Sequence, residues 1–489
     1  MRAKSGQPAM PARWFKFVSL LLVLLMACGP LSILPTVAPT ASPSPTAPLP
    51  AGTPAPSPTP AAGFNVRVHP DGPLYVGDLV SFEVLAPDGF DPANRVVVLE
   101  SNGQMLGEQA FRPFGIGGRN QATFSWVWET TGLEAGPHDL TFRLRPDEFS
   151  WVETFTLHPA ADVPFPEPNA RWESLASDCC LLYYITGTDA HRDIEILAEM
   201  ADSEAERVET RFRAQFPERI PLTFLPRVLG HGGFASDGLY ISYLDENYAG
   251  NATRQVIHHE MVHWLDFRLG GDLRPSILVE GLAVYLSNGH FKEEPILPRA
   301  AALLELGWYI PVRQLTDAFY TSQHEIGYLQ AAALVAYLVE TYGWERFNTF
   351  YRDIHPAPDG RQSTALEMAL QKHFDLNLDS LEAAFLDFLR VQIVNDSHRA
   401  DLRLTVAFYD IVRHYQQRHD PSAHFLTAWL PDIPAMRQRG IVADLLRRPR
   451  EAVNLRIERL LIEADQALRA GNYEQAEARL REGMTWLEE

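Results

Sequence analysis

The sequence predicts a multidomain protein in which a β-sandwich is followed by an α+β domain and then by a region made only of helices. Three observations lead to this prediction. The chain has 489 residues, which is too many for one compact core. Residues 63 to 160 alternate apolar and polar side chains in short runs, as strands do. From residue 172 onward, a few strand-like runs give way to long stretches with helical periodicity.

The charge balance excludes one class of partner. The chain has 42 Lys and Arg against 62 Asp and Glu, which gives a formal net charge of −20. The acids are spread along the chain rather than collected in a tail. Nucleic-acid binding needs a basic surface to neutralise phosphates, so we expect no nucleic-acid partner.

Residues 1–27 have the pattern of a bacterial secretion signal. Four cations precede the apolar run FVSLLLVLLMA, which is shorter than the roughly 20 residues that a membrane-spanning helix needs. The segment LMAC, residues 25–28, resembles a lipobox, which implies that Cys28 is lipidated and becomes the mature N-terminus. The alternative is an uncleaved N-terminal anchor. Both interpretations predict an extracytoplasmic chain held at the bacterial cell membrane.

A tether and a β-rich region follow. Residues 28–62 consist mainly of Pro, Ser, Thr and Ala and predict an extended spacer. Residues 63–160 predict an immunoglobulin-like β-sandwich, because turn signals such as HPDGP and SNGQ separate the alternating runs at sandwich-like spacing. The runs are FNVRV, DLVSFEVLA, RVVVLE, ATFSWVWET, HDLTFRL and WVETFTL. No cluster of acids or aromatics marks a ligand site in these runs, so we expect this domain to act as a spacer.

The rest of the chain divides near residue 395. Residues 172–395 predict an α+β domain, with CCLLYYIT, LTFLPRVL and GLYISYLD as strands and residues 189–216 as one long helix. Residues 396–489 predict helices that end in a tetratricopeptide-like hairpin with its turn at Gly471 and Asn472. A single hairpin is no repeat array, so we expect a helical cap on the preceding domain. Cys179 and Cys180 are adjacent, which excludes a disulfide framework.

The stretch HHEMVHWLDF, residues 258–267, puts ionisable groups into a segment that otherwise has the composition of a buried helix. Burying such groups is costly unless something compensates. On a helix, His259 and His263 are four residues apart and project from one face, where two imidazoles can bind one Zn²⁺. Glu260 then lies where it can take a proton from water at the metal. The Gly270-Gly271 pair predicts the end of this helix.

A second signal follows in SILVEGLAVYLSNG, residues 276–289. This stretch predicts a largely apolar helix that starts after Pro275 and ends at Gly289, and Glu280 is its one charged residue. A carboxylate in such a helix needs a partner. Two histidines, one carboxylate and an open position form the donor set of catalytic zinc sites. We therefore predict one Zn²⁺ per chain, bound by His259, His263 and Glu280.

HEMVH, followed after sixteen residues by the glutamate of LVEGLAVY, resembles the gluzincin metallopeptidases, and most of all the peptidase MA-like group. The resemblance covers about residues 175–395 and implies a zincin-like fold for the α+β domain, zinc-dependent peptide hydrolysis and a peptide or protein substrate. The segment EIGYLQAAALVAYLVETYG, residues 325–343, resembles the following helix of that family. It implies that Tyr328 stabilises the oxyanion. HGGFASDGLYISY, residues 231–243, resembles the edge strand beside the cleft, which implies that Gly232 and Gly233 bind substrate.

The sequence departs from the family pattern at one point, and several of its candidate residues have alternative roles. HGGFAS lacks the glutamate that binds the free amine in the large aminopeptidases, which leaves endopeptidase and exopeptidase activity both open. His258 is expected to be a helix-face residue rather than a ligand, Tyr328 has a core tyrosine as its alternative role, and Glu280 has an arginine salt bridge as its alternative. At the level of function, the alternative to a peptidase is a catalytically silent lipoprotein that keeps the fold and binds partners. The retained Glu260 favours the enzyme.

Overall fold

The computed structural model describes residues 63–147, 149–244, 247–250 and 252–488. The signal segment, Cys28 and the tether lie outside the described residues. Strands occupy the first half of the chain and helices dominate the second, which confirms the coarse order predicted from the sequence. Within the described residues, no helix combines the length and the apolar character needed to cross a membrane.

The first nine strands form two sheets that enclose a common apolar core. One sheet has the order β1-β3-β7-β6 and the other the order β2-β9-β8-β4-β5. Phe82 in the first sheet meets Phe142 in the second edge-to-face, with ring centroids 5.9 Å apart. The strands are β1 Asn65–His69, β2 Leu74–Tyr75, β3 Leu79–Leu85, β4 Val96–Ser101, β5 Gln104–Ala110, β6 Arg112–Phe114, β7 Arg119–Glu129, β8 Gly136–Arg145 and β9 Phe149–His158.

A mixed five-stranded sheet opens the next part of the chain. Its order is β10-β11-β12-β14-β13, with the outer pairs antiparallel and the inner pairs parallel. The strands are β10 Trp172–Ala176, β11 Cys180–Ile185, β12 Ile220–Leu225, β13 Gly233–Ala235 and β14 Leu239–Ser242. The prediction of one long helix between β11 and β12 was wrong, because the chain breaks at Asp193 into α1 (Asp189–Arg192) and α2 (Ile194–Phe212). Cys179 and Cys180 are joined by a disulfide.

Eight helices follow the mixed sheet and form a large apolar core together with it. They are α3 Thr253–Arg268, α4 Ser276–Ser287, α5 Ile296–Leu306, α6 Val312–Asp317, α7 His324–Tyr342, α8 Trp344–Arg352, α9 Gln362–Phe374 and α10 Leu378–Arg390. The first fifteen residues of α7 are all buried, so this helix forms the centre of the domain. Gly281 of α4 has no side chain at the point where α4 meets the backbone of α7, which lets the two helices approach closely.

The C-terminal helices pack around α11 (Asp396–His419). Short helices α12 (Ile433–Arg439) and α13 (Ala443–Leu446) lead to the hairpin of α14 (Ala452–Arg469) and α15 (Tyr473–Glu488). Gly471 turns the hairpin with a φ of 72°, a left-handed conformation that glycine adopts without steric cost. The hairpin and α11 share a separate apolar core.

Residues 420–451, which we call the joining segment, contact both the sandwich and the mixed sheet. Arg447 ion-pairs with Asp78 of the sandwich at 2.6 Å and also with Glu167. The Trp429 ring stacks on His69 of β1, with centroids 4.2 Å apart. Because these contacts are buried, the sandwich is fixed against the rest of the chain rather than held only by its linker.

Candidate metal centre

Helix α3 sets the first two candidate ligands. It begins at Thr253 and ends at Arg268, just before Gly270 turns the chain with a φ of 83°. His259 and His263 lie one turn apart inside it. Their Nε2 atoms face each other across 2.9 Å. The four-residue spacing therefore brings two imidazole nitrogens to one point.

Helix α4 brings Glu280 to the same point. Its Oε2 atom lies 3.3 Å from Nε2 of His259 and 3.3 Å from Nε2 of His263. The helix ends at Ser287, and its C-cap residue Asn288 takes the left-handed conformation with a φ of 60°, so the predicted end at Gly289 was two residues too late. The side chains of the two histidines and Glu280 keep 10–15% of their surface exposed, so the site opens to solvent.

These three donors fit a zinc ion. Four ligands at 2.0–2.1 Å in a tetrahedron lie about 3.3 Å from one another, close to the separations of 2.9 and 3.3 Å found in this site. The second oxygen of Glu280, Oε1, accepts a hydrogen bond of 2.7 Å from the hydroxyl of Tyr320, which fixes the carboxylate and leaves Oε2 turned to the histidines. Within the described part of the chain no arginine contacts Glu280, so the predicted alternative of a salt bridge to arginine is absent from these residues.

The charges of the three groups are strongly coupled. Burial lowers the pKa of His259 to about 4. Burial would also lower the pKa of His263, but the Glu280 carboxylate outweighs it and raises that pKa to about 9. Burial works to raise the pKa of Glu280, yet the two histidines hold it well below its usual range. Glu280 is therefore ionised at neutral pH, and His263 must lose its proton before it can bind a metal.

Glu260 lies on α3 beside the three donors. It is buried, and it makes no hydrogen bond or ion pair with any residue that the structure describes. Burial raises the pKa of its carboxyl to about 7. A buried acid without a stabilising partner is unusual in a structural role. A pKa near neutrality suits a group that takes up and returns a proton.

His258 faces away from this centre. Its Nδ1 lies 2.9 Å from Oε2 of Glu204 on α2, and that carboxylate also bonds Arg207 and Arg254. The histidine is 2% exposed. It therefore anchors α3 against α2, as expected for a residue outside the ligand set.

Tyr328 lies on α7 behind the metal centre, and its role stays a prediction. The tyrosine ring lies 6.4 Å from the ring of His259 and packs on His290 and His324, with centroids 4.4 and 4.6 Å apart. Its hydroxyl makes no hydrogen bond to the described residues, which leaves it available to a ligand. Tyr320 is the tyrosine that contacts a candidate ligand directly.

Gly232 and Gly233 lie at the start of β13, which is the edge strand of the mixed sheet. A Cβ on Gly233 would come within 2.6 Å of the Val256 side chain on α3, so glycine lets the edge strand pack against the helix that carries the histidines. The carbonyl of Gly232 accepts from Ser242. These contacts give both glycines a packing role, and their predicted contact with substrate stays a prediction.

Three further histidines form a second cluster that the sequence analysis did not identify. His231, His290 and His324 bring one ligand atom each within 4.8 Å of one another, so two groups of the described residues could hold a metal. His324 lies four residues before Tyr328 on the same helix face, which is a weak signal for it in the sequence. His290 follows the Glu280 helix by three residues. No sequence pattern connects either of them to His231.

Comparisons with known proteins show little beyond this geometry. No family model matches the chain, and no curated protein matches it. Among solved structures, an aminopeptidase N family protein from Idiomarina loihiensis is similar over 74% of this chain and 76% of that chain, with 12% sequence identity and a TM-score of 0.26. At that TM-score the similarity supports no argument about function.

Proposed function

We propose that this chain is a zinc-dependent peptidase, anchored at the extracytoplasmic face of the bacterial membrane through Cys28, with an immunoglobulin-like sandwich and a zincin-like catalytic domain. The observation that supports it most is the convergence of His259, His263 and Glu280 on one solvent-accessible point. Glu260 lies beside that point without a partner among the described residues. A catalytically silent relative would have no use for that unpaired, buried carboxylate.

Each protein group has one task in this mechanism. His259, His263 and Glu280 would hold a zinc ion, which would supply a Lewis acid for the carbonyl and make water more acidic. Glu260 accepts the proton of the attacking water and passes it to the nitrogen of the leaving amine. Tyr320 holds Glu280 through its hydrogen bond, as outer partners of metal ligands do. The hydroxyl of Tyr328 donates a hydrogen bond to the substrate oxygen on which negative charge develops.

An extended substrate has one obvious place to lie. The edge of the mixed sheet at β13 runs beside α3, and its backbone can pair with an added peptide strand. In this arrangement Gly232 and Gly233 offer backbone groups to the substrate. Such pairing would place the peptide substrate across the metal centre and would contribute little specificity for its side chains.

The metal is tested by comparing adjacent histidines. His259→Gln should lose nearly all of the one zinc per chain that elemental analysis is expected to find, and Glu280→Ala should lose most of it. His258→Gln changes the neighbouring residue, which faces Glu204, and should keep the zinc although it lowers stability. A protein without zinc after refolding with the metal, or equal loss in both histidine variants, would contradict the proposed ligands.

The chemistry is tested by Glu260→Gln and Tyr328→Phe. The amide cannot accept the proton of water, so Glu260→Gln should keep zinc and fold but lose nearly all hydrolysis of casein or a mixed peptide library. Tyr328→Phe should lower kcat by about 10²–10³ with little change in KM, as expected for a donor that acts in the transition state. Full activity in Glu260→Gln would refute the hydrolase mechanism, and full activity in Tyr328→Phe would transfer the oxyanion role to another donor, such as Tyr320 or His231.

A further inference from the structure

Arg413, on α11, carries a charge that no carboxylate of the described residues neutralises locally. Its guanidinium is half-buried and donates to the carbonyl of Gly230 at 3.0 Å, to Oε1 of Gln416 at 3.1 Å and to Nδ1 of His324 at 3.2 Å. All three acceptors are neutral. Among the residues that the structure describes, no carboxylate lies within 4.0 Å of this guanidinium.

Three other buried arginines of the chain do have carboxylate partners. Arg227, Arg299 and Arg447 each contact at least two carboxylates, which outweigh the effect of burial and raise their pKa values. Burial instead lowers the pKa of Arg413 to about 10, and no carboxylate among the described residues offsets it. Arg413 is still a cation at neutral pH. A desolvated charge without a counter-ion costs stability unless a ligand supplies one.

The same hydrogen bond argues against a second metal in the histidine cluster. A neutral imidazole that accepts a hydrogen bond at Nδ1 carries its own proton on Nε2. His324 accepts from Arg413 at Nδ1, so its Nε2 donates to Nε2 of His231, 3.1 Å away. His324 then has no lone pair for a metal at that atom. His324, held by its contact with His231, therefore accepts from the guanidinium instead of binding a metal at that atom.

A continuous strip of half-buried side chains connects the metal centre with Arg413. Tyr320 bonds the ligand Glu280, and its ring lies 6.2 Å from the ring of Phe425. The guanidinium carbon of Arg413 lies 4.3 Å from the centroid of the same Phe425 ring. Tyr320, Phe425 and Arg413 each keep part of their surface exposed. The two steps from the Tyr320 ring through Phe425 to the guanidinium together cover at most about 10 Å, which roughly three residues of extended peptide would span.

We propose that Arg413 binds a carboxylate of the peptide substrate, so that the enzyme selects substrates that carry one within about three residues of the cleaved bond. This inference rests on the proposed peptidase function. The planar guanidinium matches a carboxylate with two parallel hydrogen bonds. Two sources offer the same group, namely the C-terminal carboxylate of a short peptide and the side chain of an internal Asp or Glu.

The test measures binding without turnover. Zinc-loaded protein carrying Glu260→Gln is titrated with a dansylated hexapeptide in four forms, which combine a free or amidated C-terminus with Glu or Gln at an internal position. We expect a preference of about 10–100-fold for a free C-terminus or for internal Glu, and the form that shows it identifies the source. No preference in either pair would overturn the proposal, and this result needs no change at Arg413.

Variants then assign the preference to its residue. Adding Arg413→Gln should bring the ratio to about one, and Arg413→Lys should restore part of it, because lysine keeps the charge but not the two parallel donors. Arg403→Gln removes the same charge from an exposed position of α11 and should keep the ratio. A preference that survives Arg413→Gln would overturn the proposal. So would a second equivalent of zinc that is lost in His324→Gln.

Failure of this inference and failure of the proposed function give different results. If wild-type protein hydrolyses no peptide but the carboxylate preference in binding remains, the peptidase function is wrong and the binding site holds. If wild-type protein hydrolyses peptides with equal kcat/KM for the acid and amide forms and for Glu and Gln, the function holds and the role of Arg413 is wrong.

Discussion

Gly281 should be the residue at which a single methyl group disturbs the metal centre most. It directly follows Glu280 on α4. A Cβ at this position would lie 2.5 Å from the carbonyl oxygen of Ala331 and 2.7 Å from its carbonyl carbon on α7. Both atoms belong to the backbone in the buried part of α7, so no side-chain rotation can relieve the contact. Gly281→Ala must therefore move α4 away from α7.

The size of the effect follows from these distances. Ordinary contacts begin near 3.4 Å, so the methyl group lacks about 0.9 Å of space. Overpacking of this kind costs about 1–3 kcal/mol and occasionally more. Ala also gains about 1 kcal/mol over Gly in a helix interior. We expect a net loss of about 1 kcal/mol, which corresponds to a fall in Tm of roughly 2–4 °C for a domain of this size.

Metal binding should fall with stability, because the displaced helix carries Glu280. Changes that disturb the support of a ligand typically lower metal affinity by about 10–100-fold. Zinc affinity is measured by competition with a chromophoric chelator, and stability by calorimetry on the same preparations.

Gly327→Ala on α7 provides the matched control. Its Cβ would meet its nearest neighbours at 3.6–3.9 Å, which is ordinary contact, so this variant should keep zinc affinity and be as stable as wild type or slightly more so. The reasoning is refuted if Gly281→Ala binds zinc like wild type with an unchanged Tm, or if the two glycine variants behave alike.

Three other predictions test separate features. Tyr320→Phe removes the hydroxyl that bonds Glu280 at 2.7 Å and should weaken zinc binding by about 10–100-fold in the chelator competition; unchanged affinity would show that the bond does not hold the ligand. Burial raises the pKa of Asp444 to about 6 from 3.8, so the folded state binds its proton more tightly than the unfolded state, and stability is lost as pH rises through this window. Asp444→Asn should therefore gain stability over wild type as pH rises from about 4 to 6, by up to about 3 kcal/mol; a Tm difference that does not change with pH would contradict this. Cys28→Ser should release the protein from membranes or block its processing, whereas unchanged detergent partitioning and mature mass would exclude the lipid anchor.

The sequence was sufficient to indicate the parts of the candidate metal centre that depend on local structure. Four-residue spacing on a helix fixes where two side chains point, so His259 and His263 could be paired without a structure. Glu280 was identifiable because a single charge in an apolar helix needs a partner. In the sandwich, all six alternating runs contain strands. Strand β5 was missed because its residues are exposed or half-buried and show no alternation.

Long-range contacts could not be predicted in this way. His231 and His324 meet across 93 residues, and Arg413 meets Gly230 across 183. Helical periodicity and charge patterns describe neighbours along the chain and contain no information about such pairs. Gly281 and Gly327 are likewise equivalent in sequence, as glycines inside apolar helices. Only the distance between α4 and α7 separates the one that cannot accept a methyl group from the one that can.

Because the joining segment contacts both the sandwich and the mixed sheet, we expect the three parts of this chain to be inherited together. Phe425 belongs to it and Arg413 to the helix before it, yet both are connected through Tyr320 to the candidate metal centre of residues 259–280. The same segment is clamped to the sandwich by Arg447 and Trp429. Recombination that exchanged residues 172–395 as a cassette would transfer the three candidate ligands but leave Arg413 and Phe425 behind. We therefore expect relatives to acquire or lose the sandwich, the α+β domain and the C-terminal helices together.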